Sequence, residues 1–424
     1  MHPEEIYQIY QLHPSIQTDT RKLRAGDLFF ALKGPNFNGN RFAEKALEQG
    51  AAYAIVDEPV GNGNYRIIET GDTLETLQAL AKMHRERFIN IPFIAITGSN
   101  GKTTTKELTH EVLSTTFRTY TTRGNLNNHI GVPLTLLGIR NDVEMAVIEM
   151  GANHLREIAS YCEYAMPTHG LITNIGKAHL EGFGGAENVK IGKGELFEYL
   201  GKHAGLAFVN TDDAAVVEVS RGVNRRVFYG TSGDDVRGNV VRSDPFAEIS
   251  VNGNAEPIRT QLTGAYNFSN ILAAVCIGRH FGVPDSKIKT AIEQYEPTNS
   301  RSQLMHRGSN TIILDAYNAN PGSMKAAIEN IAAMKGDQKI LLLGAMMELG
   351  ADSRQEHQAI LELIGKHPWQ AVVLVGEPFG ELHHPYRQFP DAASAAEWVR
   401  HQQFEHAQIL VKGSRTMQME KVLE

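Results

Sequence analysis

Between Phe93 and Leu113 the chain reads FIAITGSNGKTTTKELTHEVL, and four of these residues have the types and spacing to hold phosphate. Glycines at 98 and 101 let the backbone curl until successive N–H groups point inward. Lys102 brings a cation for β and γ phosphates, and Thr103 a hydroxyl suited to Mg2+. The pattern Gly-x-x-Gly-Lys-Thr is two residues tighter than the common P-loop, and alone it says little. Its setting says more: an apolar, β-prone run, Phe93 to Thr97, precedes it, and apolar residues at helical spacing follow from Lys106. A strand-to-helix turn adds the positive end of a helix to the cradle. ATP is the working assignment, and a glycine turn without nucleotide is the alternative.

Further residues could join such a site. The run MAVIEM (145–150) reads as a strand ending in Glu149. A carboxylate at the C-terminal end of a strand in this kind of sheet lies on the ligand edge and suits Mg2+, although loop amides could equally hold it. His179 sits in the glycine-rich NIGKAHLEGFGG (174–185), after another apolar run, Gly170 to Thr173. A lone histidine is more often structural than a ligand; its place after a strand of the same sheet keeps both readings open. Lys190 and Lys193 are three apart on a helical stretch and share a face, solvated by default. Asn267 and Asn270 open a helical pattern over Gly264–Phe281, where capping alone would account for them.

The elements that must position these groups form three patterns. Residues 1–91 read as a small α/β domain, with strands at Asp27–Leu32, Ala52–Asp57 and Tyr65–Glu69 and helices at Arg41–Gln49 and Thr73–Phe88. Its polar loops, Ser15–Arg21 and Lys33–Asn40, are rich in hydrogen-bonding side chains that either build turns or meet a ligand. Residues 92–297 carry the phosphate loop, a strand at Leu206–Asn210 and a β-rich stretch up to Leu262. Residues 298–424 alternate strands (311–315, 339–344, 371–376, 408–412) with helices (323–334, 353–366, 392–401) and end in a last helix. That alternation predicts a parallel sheet covered on both faces. No Gly-x-Gly-x-x-Gly follows its strands, so a dinucleotide cofactor lacks support.

With 424 residues, 42% hydrophobic and 21% charged, the composition is that of an ordinary globular protein of two or three domains. A net charge of -7 with scattered Lys and Arg argues against nucleic acid. No apolar run is long enough for membrane insertion and the N-terminus does not read as a signal peptide. Cys162 and Cys276 are isolated, as buried thiols in a reducing cytoplasm would be. A monomer is the default.

The motifs ITGSNGKTTTKE, IEMGANHLREI, NIGKAHLEGFG with KGELF, GNLNNHIGVPLTLL, GAYNFSNILAA, DAYNANPGSM, MMELG and KGSRTMQMEKVL, with TDTRKLRAGDLFFALKG near the start, cover the chain nearly end to end. Together they make it similar to the Mur ligases of peptidoglycan synthesis, most closely the MurF type. The resemblance implies a three-domain α/β architecture: a small N-terminal α/β domain for the UDP-sugar, a central P-loop ATP-binding domain with a parallel sheet, and a C-terminal Rossmann-like domain. It also implies the reaction. ATP phosphorylates the terminal carboxylate of UDP-MurNAc-tripeptide, and the amine of D-alanyl-D-alanine attacks the acyl phosphate.

On the same resemblance, Gly98, Ser99, Asn100, Gly101, Lys102, Thr103 and Thr104 would hold the ATP phosphates, with Thr103 and Glu149 on one Mg2+. His179 would help hold a second Mg2+, and Lys193 would ligate as a carbamate, since an ammonium cannot. Asn267 corresponds to an adenine-side residue, Arg301 to a phosphate contact, and Asp315 and Tyr317 to ribose and nucleotide contacts. Thr18, Asp19, Thr20, Arg21, Asn36, Asn38 and Asn40 would face the UDP-sugar, and Asn125, Asn127 and Asn128 the substrate side of the central domain. Two positions depart from the family pattern: Tyr266 stands where His is common, and Ala345 where Asp is, with Glu348 retained. Competing readings are another Mur-type or folylpolyglutamate ligase, separable at Asp315–Met324, and an ATP-binding regulator that ligates nothing.

Overall fold

A computed structural model describes residues 1–60, 63–298 and 300–424. The described chain groups into two compact units: residues 1–95, 117–151 and 157–169 in the first, and 96–116, 152–156 and 170–424 in the second.

The first unit holds a four-stranded parallel sheet ordered Ile16–Gln17, Leu28–Phe30, Tyr53–Val56, Ile67–Glu69. Alternate residues Phe29, Ala31, Ala54 and Val56 pack with Ala43, Ala46 and Leu47 of the helix Ala43–Glu48, so one sheet face is closed by small and aromatic side chains. The helices Pro3–Leu12 and Thr73–Glu86 flank it. The two polar loops contain more structure than their composition announces. One carries the strand Ile16–Gln17, and the other a miniature hairpin pairing Lys33–Gly34 with Phe37–Asn38.

A nine-stranded sheet runs Ile258–Thr263, Phe246–Val251, Val236–Arg242, Arg225–Gly230, Leu206–Asn210, His169–Ile172, Phe93–Thr97, Met145–Glu149, Thr119–Thr121. The strands Phe93–Thr97, Met145–Glu149 and Leu206–Asn210 are buried along their whole length, which explains why they read as unbroken apolar runs rather than alternating ones. The β-rich stretch ends in antiparallel pairings of Val236–Arg242, Phe246–Val251 and Ile258–Thr263.

The last sheet is ordered Gln303–Arg307, Asn310–Asp315, Gln408–Lys412, Lys339–Gly344, Ala371–Val375, Arg387–Phe389. Ile312, Leu314, Ile340, Leu342, Val373, Val375, Ile409 and Val411 point to one face and form its core. Two expectations are corrected here. The sheet is parallel apart from its edge strand Gln303–Arg307, which pairs antiparallel with Asn310–Asp315. The chain also closes not on an α-helix but on two 3-10 turns, Arg415–Met417 and Met419–Leu423, with Met419 and Val422 buried in that core.

Candidate functional site

The turn after Phe93–Thr97 has backbone that only glycine adopts readily at two positions. Gly98 has φ 138° and Gly101 φ 78°. A Cβ at 98 would lie 2.0 Å from Thr173 Oγ1, and one at 101 would lie 2.3 Å from Asn270 Oδ1. Glycine is therefore required twice, by conformation and by space. The loop is tied to the segment 173–176. Asn174 accepts from Asn100 N (3.0 Å) through Oδ1 and from Ser99 N (2.9 Å) through its carbonyl, while Thr173 Oγ1 donates to Asn100 O (2.6 Å). The helix begins at Lys102 and runs to Ser114, earlier than its apolar periodicity announces. Lys102 and Thr103 thus occupy its first turn. Lys102 Nζ folds back onto the turn, donating to Gly98 O at 2.8 Å and to Ser99 O at 3.4 Å.

Asn267 and Asn270 serve this turn rather than capping their own helix. Thr105 Oγ1 donates to Asn270 Oδ1 (3.1 Å), Asn270 Nδ2 to Asn267 Oδ1 (2.9 Å), and Asn267 Nδ2 to Thr263 O (2.9 Å). The helix itself starts at Phe268, after a 3-10 turn Ala265–Asn267. Tyr266, the departure from the family histidine, bonds Ser302 Oγ at 2.8 Å, and burial pushes its hydroxyl well up.

The C-terminal ends of the last sheet face the phosphate loop within the second unit. Asn320 caps the helix Pro321–Ala333 and donates Nδ2 to Asn100 Oδ1 at 2.7 Å, so the DAYNANPGSM segment abuts the GSNGKTT turn directly. The Arg301 guanidinium lies 3.7 Å from the centre of the Tyr317 ring. Asp315 accepts from Ser302 N (3.1 Å) and pairs with Lys412, whose Nζ also reaches Asn318 O at 3.2 Å. Lys412 is 1% exposed and went unassigned in the sequence. The available signal was a lysine ending a strand of the parallel sheet, the same logic that singled out Glu149.

His179 stands at the start of the short helix Leu180–Phe183 with φ 52°. Its Nδ1 meets Glu348 Oε2, and the His179 ring holds the Glu348 carboxyl below its ordinary value. Lys193, on the helix Ala186–Lys202, is fully buried; its Nζ donates to Ala152 O at 2.9 Å and sits 5.1 Å from the Phe183 ring centre. Two residues on, Glu195 accepts from Arg156 N at 2.6 Å. The helix thus clamps the ANHLR segment at both ends. Lys190, by contrast, pairs with Glu218 at 2.7 Å near the surface.

In the first unit, Glu149 is 1% exposed and accepts from Asn127 Nδ2 at 2.7 Å, bringing two of the expected residues together. Asn128 Oδ1 accepts from Ile130 N and Gly131 N at the start of the helix Gly131–Leu137, and Asn125 is exposed. Asp19 caps the 3-10 turn Thr20–Lys22 and takes a two-pronged contact from Arg21, which holds its carboxyl down at about 2. Thr18 and Thr20 are half-buried beside it, and Asn36 is exposed on the hairpin. Asn38 bonds Glu58 and Asn40, and Asn40 bonds Asp57.

Three family models match in series: a Mur ligase catalytic domain over residues 14–85, the Mur ligase middle domain over 96–278, and the Mur ligase glutamate ligase domain over 300–415. A Bacillus subtilis protein named UDP-N-acetylmuramoyl-tripeptide--D-alanyl-D-alanine ligase is 33% identical over 96% of this chain and 92% of its own length. The chain belongs to the Mur ligase family. Among solved structures, MurF from Acinetobacter baumannii superposes with a TM-score of 0.88 at 31% identity, covering 98% of this chain and 97% of that one. MurF from Thermotoga maritima, solved in complex with ADP, gives 0.85 at 26% identity over 97% and 96%.

The residues fit the metal that Mur ligases imply. Mg2+ prefers oxygen donors and keeps room for waters and substrate phosphates rather than demanding a protein cage. Thr103 of the second unit and Glu149 of the first are each nearly buried oxygen donors. Among the described residues no group of three or more His, Cys, Asp and Glu side chains could hold a metal ion. No helix among the described residues is long and apolar enough to cross a membrane.

Proposed function

We propose that this chain is an ATP-dependent ligase that joins D-alanyl-D-alanine to UDP-MurNAc-tripeptide, producing the pentapeptide precursor of peptidoglycan. The observation that carries the reading is the contact of the DAYNANPGSM segment with the phosphate loop through Asn320 and Asn100. The region that distinguishes dipeptide-adding Mur ligases thereby sits against the nucleotide end of the site.

The chemistry follows from the residues. A carboxylate acylates poorly until one oxygen becomes a leaving group, and two anions must meet to make it one. The Gly98–Thr104 turn and Lys102 hold the phosphates, and Arg301 adds a second cation against their charge. The tripeptide carboxylate oxygen attacks the γ-phosphorus, and the bond to ADP breaks. The dipeptide amine then adds to the acyl carbon and loses a proton, and the tetrahedral intermediate expels phosphate to leave the amide. Thr103 and Glu149 would each offer an oxygen to Mg2+, and His179 with carbamylated Lys193 would hold a second ion. Bound there, Mg2+ supplies charge neutralisation between the reacting anions. A carbamate on Lys193 keeps one N–H, so its hydrogen bond to Ala152 O can survive the modification.

Residues 1–91, 92–297 and 298–424 are assigned to the UDP-sugar, ATP and closure respectively, with Thr18–Arg21, Asn36, Asn38, Asn125, Asn127 and Asn128 toward the UDP-substrate and Asn267, Asp315 and Tyr317 toward the nucleoside. Closure excludes water from the acyl phosphate. The enzyme works as a cytoplasmic monomer on soluble substrates. Phosphate release tests the reading: it should require ATP, the tripeptide substrate and D-alanyl-D-alanine together. Release with UDP-MurNAc-dipeptide and a free diamino acid would move the chain to a neighbouring ligase, and release with ATP alone would make it a regulator.

A further inference from the structure

The segment Ala345–Gly350 carries the family departure at Ala345, yet it is fixed from several sides. Met346 N donates to His357 Nε2 (3.0 Å), Met347 N to Ser414 Oγ (2.8 Å), and Ala345 N to Val375 O (2.8 Å). Held this way, its tip reaches the loop that follows the strand His169–Ile172. Glu181 N donates to Glu348 O at 3.1 Å, and a Cβ on Gly350 would lie 3.2 Å from Glu181 Cβ. Nearby, Lys177 pairs with Glu356. Glu348 and His179 both adopt left-handed backbone, at φ 62° and 52°. That conformation costs energy for residues other than glycine and persists only where the surroundings impose it. The strain on both sides ends in one contact, Glu348 Oε2 against His179 Nδ1.

We propose that Glu348 is a positioning residue for His179, fixing the ring so that Nδ1 carries the proton and Nε2 is presented as the metal ligand. This rests on the reading of His179 as a Mg2+ ligand. A ligating histidine works as neutral imidazole, and the group on its other nitrogen decides tautomer and ring direction. Glu348 contributes this from a segment 169 residues away. The metal ligand is therefore aligned only when the Ala345–Gly350 segment is docked on the His179 loop.

The test uses the full-length protein with ADP and Mn2+ in place of Mg2+, reading Mn2+ affinity by electron paramagnetic resonance and the His179 tautomer by nitrogen-15 chemical shifts. Glu348→Ala should weaken Mn2+ binding about tenfold or more, as loss of an outer partner of a metal-bound histidine does, and mix the tautomers. Glu348→Gln, whose amide oxygen still accepts from Nδ1–H, should lose less. ADP affinity should be unchanged in both, showing an intact fold and phosphate loop. Glu356→Gln, which removes the Lys177 pair but touches no ligand, should leave Mn2+ affinity alone. Wild-type affinity and tautomer in Glu348→Ala would overturn the proposal, as would an equal loss in Glu356→Gln, which would make docking alone responsible. His179→Ala separates the layers: if it too leaves Mn2+ binding intact, the ligand reading falls and the positioning role falls with it.

Discussion

The phosphate turn Gly98–Thr104 and the hairpin loop Lys33–Asn40 are both short, polar and glycine-bearing, yet they spend their side chains differently. In the first, a Cβ on either glycine would meet a neighbour, Asn100 is tied down by Thr173, Asn174 and Asn320, and Lys102 donates to carbonyls of its own turn. In the second, Asn40 is spent on Asp57 and is 2% exposed, while Asn38 is half-buried with Glu58 and Asn40 as its partners. Only Asn36 remains exposed among the three asparagines. Residue type therefore says less about ligand contact than whether the scaffold already uses the side chain.

The contrast breaks first at Lys102. Lys102→Ala should lower turnover by about 10²–10³-fold, the cost of removing one charge-stabilising group, while the melting temperature stays near wild type. A loss under tenfold would mean the cation does not meet phosphate. Gly101→Ala comes next: a Cβ 2.3 Å from Asn270 Oδ1 at φ 78° should cost about 1–3 kcal/mol in denaturant unfolding and weaken ADP retention. In the hairpin the expectation reverses. Asn40→Ala should lose about 1–3 kcal/mol of stability by removing the buried side chain that donates to the Asp57 carboxylate and accepts from the Asp57 N–H and leave kcat unchanged, whereas Asn36→Ala should raise the KM for the UDP-substrate at constant stability. If Asn40→Ala instead changed KM alone, the division of labour between the two asparagines would be wrong.

The smallest effect belongs to His84 of the first unit, buried between the Tyr7 hydroxyl and Ile139 O at 2.9 Å each. Ile139 O only accepts, so Nε2 carries the proton and Nδ1 accepts from Tyr7. Burial holds His84 below its ordinary 6.5, so the unfolded chain takes up the proton first. Stability should be intact above pH 6.5 and decline as pH falls from there toward the lower folded value. A melt series on His84→Gln should show a flatter profile over that window.

What the sequence made legible were features whose cause is local. The strand–glycine–helix order, the carboxylate ending Met145–Glu149 and the alternation of the last sheet each follow from residues within a few positions. Glu348 meeting His179 and Lys412 meeting Asp315 span 169 and 97 residues, and no periodicity encodes them. Tertiary packing also overrode pattern at the end of the chain. Met419 and Val422 are needed in the core, and 3-10 turns deliver them where the pattern promised a longer helix. The antiparallel edge strand Gln303–Arg307 was missed because its polar residues lack an apolar rhythm.

That edge strand also bears on how the chain behaves when crowded. A parallel sheet that simply stopped would offer a row of unpaired backbone groups to any passing copy. Here one border is a polar strand whose last residues, His306 and Arg307, are exposed. The opposite border, Arg387–Phe389, is three residues long and followed at once by Pro390, which cannot donate to a ladder. Exposed charge at one border and a short strand stopped by proline at the other both disfavour intermolecular β-pairing.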